Sequence, residues 1–285
     1  MIDSKSEIRS LTVEDSLQCL ALSQAVGWKH DNARWQQMIQ LGGDGAFGLT
    51  IGDELVATVI ATVYNPDLAW IGLVLTHPNY QRRGFGKQIM QITMNYLHDL
   101  QIRCLMLDAT VYGYSLYEQL GFRSVYQLGV WTRESTASNA LNGAPASTIR
   151  PMLEKDLPSV VALDAQIFGV SRPHVLRDQQ GVAWVALEAG EVVGYLLGKI
   201  TDHSAILGPW YHPSPDGAEA LLQAVVSTIG DRPVRMDVVE SNSHARDIVQ
   251  RGGFAFQRYC TRMAYGDPIP GRMTDQYAIA SFATG

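Results

Sequence analysis

The chain repeats itself, and this constrains its fold more than any other feature. Ile8-Arg9-Ser10-Leu11 followed by Asp15 recurs as Ile149-Arg150-Pro151-Met152 followed by Asp156. Glu54-Leu55-Val56-Ala57 recurs as Glu191-Val192-Val193-Gly194, and His77-Pro78 as His212-Pro213. Ile102-Arg103 recurs as Val234-Arg235, and Gly121-Phe122 as Gly253-Phe254. One such match is chance; five in the same order imply one fold used twice. A length of 285 residues exceeds one ordinary domain. With 46% hydrophobic and 18% charged residues, each copy can bury a core of its own. Between the copies, Glu134 to Thr148 reads ESTASNALNGAPAST, aperiodic and rich in Ser, Ala and Asn, as a linker does. The expected domains are therefore 1–142 and 143–285.

Each copy predicts an N-terminal strand, a broken helix, two or three strands, a central helix, then a strand, a helix and closing strands. In the first copy, strands fit Gly45–Thr50, Leu55–Tyr64, Ala69–Leu75 and Cys104–Asp108. Helices fit Gly84–Leu100, apolar at Ile89, Ile92, Met94 and Leu97, and Tyr114–Leu120. Two closing strands are expected around Arg123–Gln127 and Leu128–Thr132. At the far end, Gln276–Phe282 is expected to dock as a last strand. The class is α/β, a layered domain used twice.

Trp70 to Leu75 runs as a strand into Thr76-His77-Pro78-Asn79-Tyr80, then Gln81-Arg82-Arg83-Gly84-Phe85-Gly86-Lys87 opens a helix. Two glycines alone are a weak signal. A strand, a basic glycine turn and a helix N-terminus together make an anion site, because backbone N–H groups and the helix dipole both face the turn. Gly84 and Gly86 allow close approach of a phosphate, and Arg82, Arg83 and Lys87 add positive charge. The dinucleotide fingerprint needs a third glycine and a different strand order, and fits poorly.

Gln81, Gly84 and Gly86 match the [Gln/Arg]-x-x-Gly-x-[Gly/Ala] signature, and Leu116-Tyr117-Glu118-Gln119-Leu120-Gly121-Phe122 matches a Leu-Tyr-x-x-x-Gly-Phe element downstream. On these residues the chain resembles the GCN5-related N-acetyltransferase (GNAT) family. Leu107-Asp108-Ala109-Thr110 and Gly27-Trp28 look like a bacterial subgroup with two such domains in tandem. The resemblance implies two GNAT-like domains, each a mixed, mostly antiparallel twisted sheet flanked by helices. It implies acetyl-CoA as co-substrate. The pantetheine arm would lie along Val74, Leu75 and Thr76, and the pyrophosphate on the amides of Arg82, Arg83, Gly84, Phe85, Gly86 and Lys87. It places Tyr117 beside the thioester sulfur as the catalytic residue, with direct attack of an amine in a ternary complex. Trp28, Asp108, Thr110 and Tyr112 are candidates for an acceptor pocket. The acceptor is a small-molecule amine or a protein amino group.

Bland readings stand beside these. Tyr117 can be a core aromatic, and Asp108 a strand-end carboxylate capping the next helix. No carboxylate lies on Trp70–Leu75, so the general base stays open between Asp67 or His77 through water and an amine that arrives neutral. A non-catalytic acetyl-CoA-binding regulator fits the same motifs. The second copy reads Ser214-Pro215-Asp216-Gly217 after His212-Pro213, has Val249 in place of Tyr117, and is expected to keep the fold without the chemistry.

Charge excludes other classes. The net charge is −6, with acidic excess in both halves, which argues against a nucleic-acid footprint. Three distant cysteines, a charged N-terminus and no apolar run of spanning length lead to a cytoplasmic expectation, with no membrane partner. The seven histidines lack ligand spacing, so no metal is expected.

Overall fold

The computed structural model describes residues 6–28, 30–134, 148–179, 181–200, 204–267, 269 and 271–285. Most of the expected linker, 135–147, lies outside the described residues. The N-terminal half contains β1 (Ser6–Ser10), α1 (Ser16–Ala25), α2 (Asn32–Gly42), β2 (Ala46–Ile51), β3 (Glu54–Asn65) and β4 (Leu68–Thr76). It continues with α3 (Phe85–Asp99), β5 (Cys104–Ala109), α4 (Tyr114–Gln119) and β6 (Arg123–Arg133). The second half repeats the order: β7 (Thr148–Pro151), α5 (Leu157–Phe168), α6 (Pro173–Asp178), β8 (Val182–Glu188), β9 (Glu191–Ile200) and β10 (Ala205–Tyr211). Then come α7 (Pro215–Ile229), β11 (Val234–Val239), α8 (Ser243–Arg251) and β12 (Ala255–Gly266). Among the described residues, no helix is long and apolar enough to cross a membrane.

The two halves share one 12-stranded sheet, ordered β1-β2-β3-β4-β5-β12-β6-β11-β10-β9-β8-β7. The closing strands are exchanged. β6 follows β5 in the chain yet pairs with β11 and β12; β12 follows β11 yet pairs with β5 and β6. Instead of two closing strands within residues 123–132, the first half has one long strand, and β12 of the other half takes the second place. A single strand of 11 residues satisfies its backbone along both edges only by crossing to the partner half.

Helices cover both faces. α1 and α2 bring Leu22, Trp35 and Met38 against Leu55, Ile60 and Leu73. Opposite them, α3 brings Phe85, Ile89, Met90 and Leu97 against Ala69 and Ile71. In the second half, Val160 and Ile167 of α5 meet Tyr195 and Leu197, while Leu221, Leu222 and Val225 of α7 meet Leu196 and Leu207.

The repeated Arg and Asp form the same ion pair twice. Arg9 grips Asp15 at 2.6 and 2.9 Å, and Arg150 grips Asp156 at 2.6 and 2.9 Å. Each carboxylate also accepts a backbone N–H, from Thr12 and Leu153. The guanidinium hydrogen bonds hold both carboxyls down to about 2, against the ordinary 3.8. A depressed folded pKa contributes stability above the unfolded value, and that stability is lost as pH falls through the folded one. In urea unfolding, the gap between the native chain and a D15N/D156N variant should be widest above about pH 4 and close toward about pH 2. A gap that persists unchanged at low pH would show that the carboxylate charge is not what matters.

Candidate active site

The site begins with a defect in β4. This strand pairs with β5 only over Leu68–Trp70 against Cys104–Met106; beyond that the two part. There β4 carries one more residue than β3 between the pairs Ile60↔Gly72 and Thr58↔Leu75. Leu73 absorbs the bulge with φ +52°, a conformation costly for leucine and kept only where surroundings fix it. Its carbonyl accepts the buried Thr58 hydroxyl at 3.0 Å, on the β3 side. Carbonyl and following N–H point oppositely in a trans peptide. The Val74 N–H therefore faces the gap between β4 and β5, where an oxygen gaining negative charge could be held.

Beyond Thr76 the chain turns. The His77 Nδ1 accepts the Asn79 N–H at 3.2 Å, capping a short 3-10 turn, and the Gln81 amide donates back to the Thr76 carbonyl at 3.2 Å. Arg82 (φ +62°) and Gly84 (φ +88°) both adopt left-handed backbone, and residues 81–84 are exposed. α3 then starts with no side-chain cap and no acidic residue in its first turn. A helix start of this kind can receive an anion. Arg83 stands over the Tyr80 and Phe85 rings, at 5.4 and 5.3 Å, while Arg82 and Lys87 are exposed. A Cβ at Gly86 would make ordinary contacts, 3.4 Å to Thr76 Oγ1 and 3.5 Å to Leu116 Cδ2. The strand end, the turn and α4 thus meet at Gly86.

Tyr117, next to Leu116, is buried with 7% exposure. Its ring is pressed on Gly113, where a Cβ would lie 2.8 Å from Cε2 and 3.4 Å from the hydroxyl, and it meets Phe122 edge-on at 6.1 Å. Burial pushes its pKa above the ordinary tyrosine value, so the hydroxyl keeps its proton through neutral pH.

The acceptor candidates fare differently. Asp108 is committed to an ion pair: its side chain is 0% exposed and held by Arg262 of β12 through two 2.9 Å bonds. Burial raises its pKa and the guanidinium opposes that. Arg262 also donates to the Tyr126 hydroxyl at 2.7 Å and lies 4.5 Å from the Trp70 ring centroid. Thr110 is half-buried and its carbonyl accepts the Gly113 and Tyr114 amides at 3.1 and 3.0 Å. Tyr112 is 93% exposed. Trp28 is half-buried, edge-on to His30 at 5.4 Å, and packs on the cluster containing Leu73 and Leu75. Asp67 precedes β4 at the end away from the turn and pairs with Arg103 at 3.0 Å, so it cannot serve as base. Sequence reasoning missed Thr58, Leu73 and Gly113; only Gly113, ahead of the Tyr117 helix, left a visible trace.

The second half obstructs both parts of such a site. β10 and β11 pair over Ala205–Leu207 and Val234–Met236, then part as β4 and β5 do. Residues 277–279 fill that gap: Tyr277 N–H donates to Trp210 O at 2.9 Å, Ile279 N–H to Asp237 O at 3.0 Å, and Ala278 bridges both strands. Gln276–Phe282 thus docks inside the sheet, not at its edge. At the N-terminus of α7, Ser214 caps the Gly217 N–H at 3.2 Å and Asp216 adds negative charge. The His212 ring occupies the space beside Gly217, where a Cβ would meet Cε1 at 1.9 Å. α3 begins eight positions after His77, α7 three after His212, and both helices have 15 residues; the five missing residues all belong to the turn. Val249 replaces Tyr117, each carbonyl accepting the amide of the phenylalanine five residues on, at 3.0 Å.

The chain is similar to known proteins over nearly its whole length. Residues 15–122 match the model of the acetyltransferase (GNAT) family, and residues 160–278 that of an acetyltransferase (GNAT) domain. The uncharacterized N-acetyltransferase YitH of Bacillus subtilis (strain 168) is 23% identical, over 100% of both chains. A putative acetyltransferase from Pyrococcus horikoshii shares the fold at TM-score 0.82 and 22% identity, over 100% of this chain and 98% of that one. A tandem GNAT protein from the clavulanic acid biosynthesis pathway shares it at TM-score 0.69 and 14% identity, over 92% and 99%.

Proposed function

We propose, for a chain that belongs to the GNAT acetyltransferase family, that one acetyl-CoA site per chain, in the N-terminal half, serves acetyl transfer to a primary amine. The chain is an acetyl-CoA-dependent acyltransferase by that membership. The observation that carries the single site is the contrast between two helix N-termini. α3 starts bare behind an exposed basic turn, whereas α7 is capped by Ser214, made acidic by Asp216 and filled by His212.

The residues fit the co-substrate. The amides of Arg82 to Lys87 would hold its phosphates, with Arg82 and Lys87 adding charge. Val74, Leu75 and Thr76 would pair with its arm where β4 leaves β5. Acetyl-CoA supplies an acyl group activated as a thioester. The Val74 N–H stabilises the charge that grows on the carbonyl oxygen, because Thr58 and the bulge hold the Leu73–Val74 peptide in place beforehand. Tyr117, kept protonated by burial, donates to the leaving sulfur. With Asp67 at the far end of β4 and His77 committed as a turn cap, the amine enters in its neutral form.

Tyr117→Phe removes the hydroxyl and keeps the ring. It should lower kcat about 10²-fold with CoA affinity nearly unchanged. An unchanged kcat at saturating acceptor would reduce Tyr117 to a packing residue.

A further inference from the structure

The segment after β12 passes from one half to the other. Having filled the β10–β11 gap with residues 277–279, it crosses to β4. The Trp70 indole donates to the Phe282 carbonyl at 3.1 Å, and the Tyr64 hydroxyl to the Thr284 carbonyl at 2.6 Å. Arg172, fully buried and paired with Asp164, donates to the Gly285 carbonyl at 2.5 Å. The Arg235 and Arg258 guanidinium groups stand 5.2 and 5.8 Å from the Phe282 ring centroid. Side chains from both halves therefore hold a segment with little regular structure of its own.

What the segment touches is specific. Ala283 lies so close to Gly72 that a Cβ there would meet its carbonyl oxygen at 2.7 Å and its Cα at 2.9 Å. These are backbone atoms and cannot move cheaply. Gly72 precedes the bulge residue Leu73, and the Val74 amide follows about 7 Å along the strand. Trp70 packs with Phe168 and Ile279 on one face of the sheet, whereas Ala69 and Ile71 pack with α3 and Tyr117 on the other. The phosphate turn and the closing segment thus address the β4–β5 gap from opposite faces. Ala283 is half-buried and packs on the cluster that Trp28 also joins.

We propose that residues 281–285 form a wall of the acceptor subsite, and that the strand gap of the second half is the anchor holding this wall in place. The proposal rests on the reading of the N-terminal half as the acetyl-CoA site. It gives the obstructed gap a purpose: a cleft of cofactor shape now binds the chain's own backbone. It also makes Ala283 a determinant of which amines fit, since a larger side chain there would narrow the approach to the Val74 amide.

The test needs no known acceptor. An Ala283→Cys variant is incubated with bromoacetyl-CoA. If the introduced thiol borders the acyl position, its thiolate displaces bromide from the methylene carbon: a C–S bond forms, the C–Br bond breaks, and the thiol proton goes to buffer. Cys19, Cys104 and Cys260 are all buried, so the unaltered chain is the blank. The expected result is one adduct per chain, at residue 283, prevented by excess acetyl-CoA, which has no free thiol to consume the reagent. With CoA binding shown by titration, no adduct, or one that acetyl-CoA does not prevent, overturns the wall alone. Failure of the unaltered chain to bind CoA overturns the site and the wall together. Hydrogen exchange on the unaltered chain gives a second route, independent of the variant's folding. Acetyl-CoA should slow exchange at 283–285 as well as 82–87; slowing at 82–87 alone overturns the wall.

Discussion

A fragment of residues 1–142 should fail to melt cooperatively and should not bind CoA. Had the halves been separate lobes, such a fragment would keep the cofactor site. The exchanged strands remove that expectation. β6 finds its partners only in β11 and β12, and the second edge of β5 is covered by β12. Without the second half, β5 and β6 present unpaired edges of mostly buried residues, which favours aggregation. Asp108 also loses the guanidinium of Arg262, which faces it across the β5–β12 ladder. Circular dichroism melts of the fragment, and of both halves co-expressed, decide the matter. Co-expression should restore a cooperative melt. A lone fragment that melts sharply and binds CoA would mean that β6 can close its own half.

Gly86→Glu should abolish measurable CoA binding while leaving the fold intact. The separation of these effects comes from the contacts at Gly86. A Cβ there meets only Thr76 Oγ1 and Leu116 Cδ2 at van der Waals distance, and φ is not left-handed. Gly86→Ala should therefore bind nearly as the native chain does. The glutamate places a negative charge at the uncapped helix N-terminus proposed above to hold the phosphates. Two like charges about 4 Å apart at an effective dielectric near 20 repel by about 4 kcal/mol, or about 10³-fold in affinity. Calorimetry on the three proteins, with melting curves alongside, reads both quantities. Equal affinity for Gly86→Glu would place the phosphates elsewhere.

What the sequence made legible was local. The glycine turn, the helix behind it and the Leu116-Tyr117 to Gly121-Phe122 element are each written within a few residues, so local pattern located the first two and the family resemblance the third. The strands of the first half were legible up to Cys104 for the same reason. The strand exchange was not, because nothing within Arg123–Arg133 says which neighbour it will pair with; a strand's partner is a property of distant chain. Leu73 was hidden because leucine gives no sign of positive φ; the bulge is imposed by Thr58 and the neighbouring strands. Asp108 looked available because Arg262, 154 positions away, could not be foreseen beside it.

The central claim is that a duplicated fold carries a single acetyl-CoA site. Calorimetric titration of the full chain with CoA measures this directly. The account predicts a stoichiometry near one, unchanged when His212 is replaced by Ala and lost in Gly86→Glu. A stoichiometry near two, or binding that survives in Gly86→Glu, would contradict it.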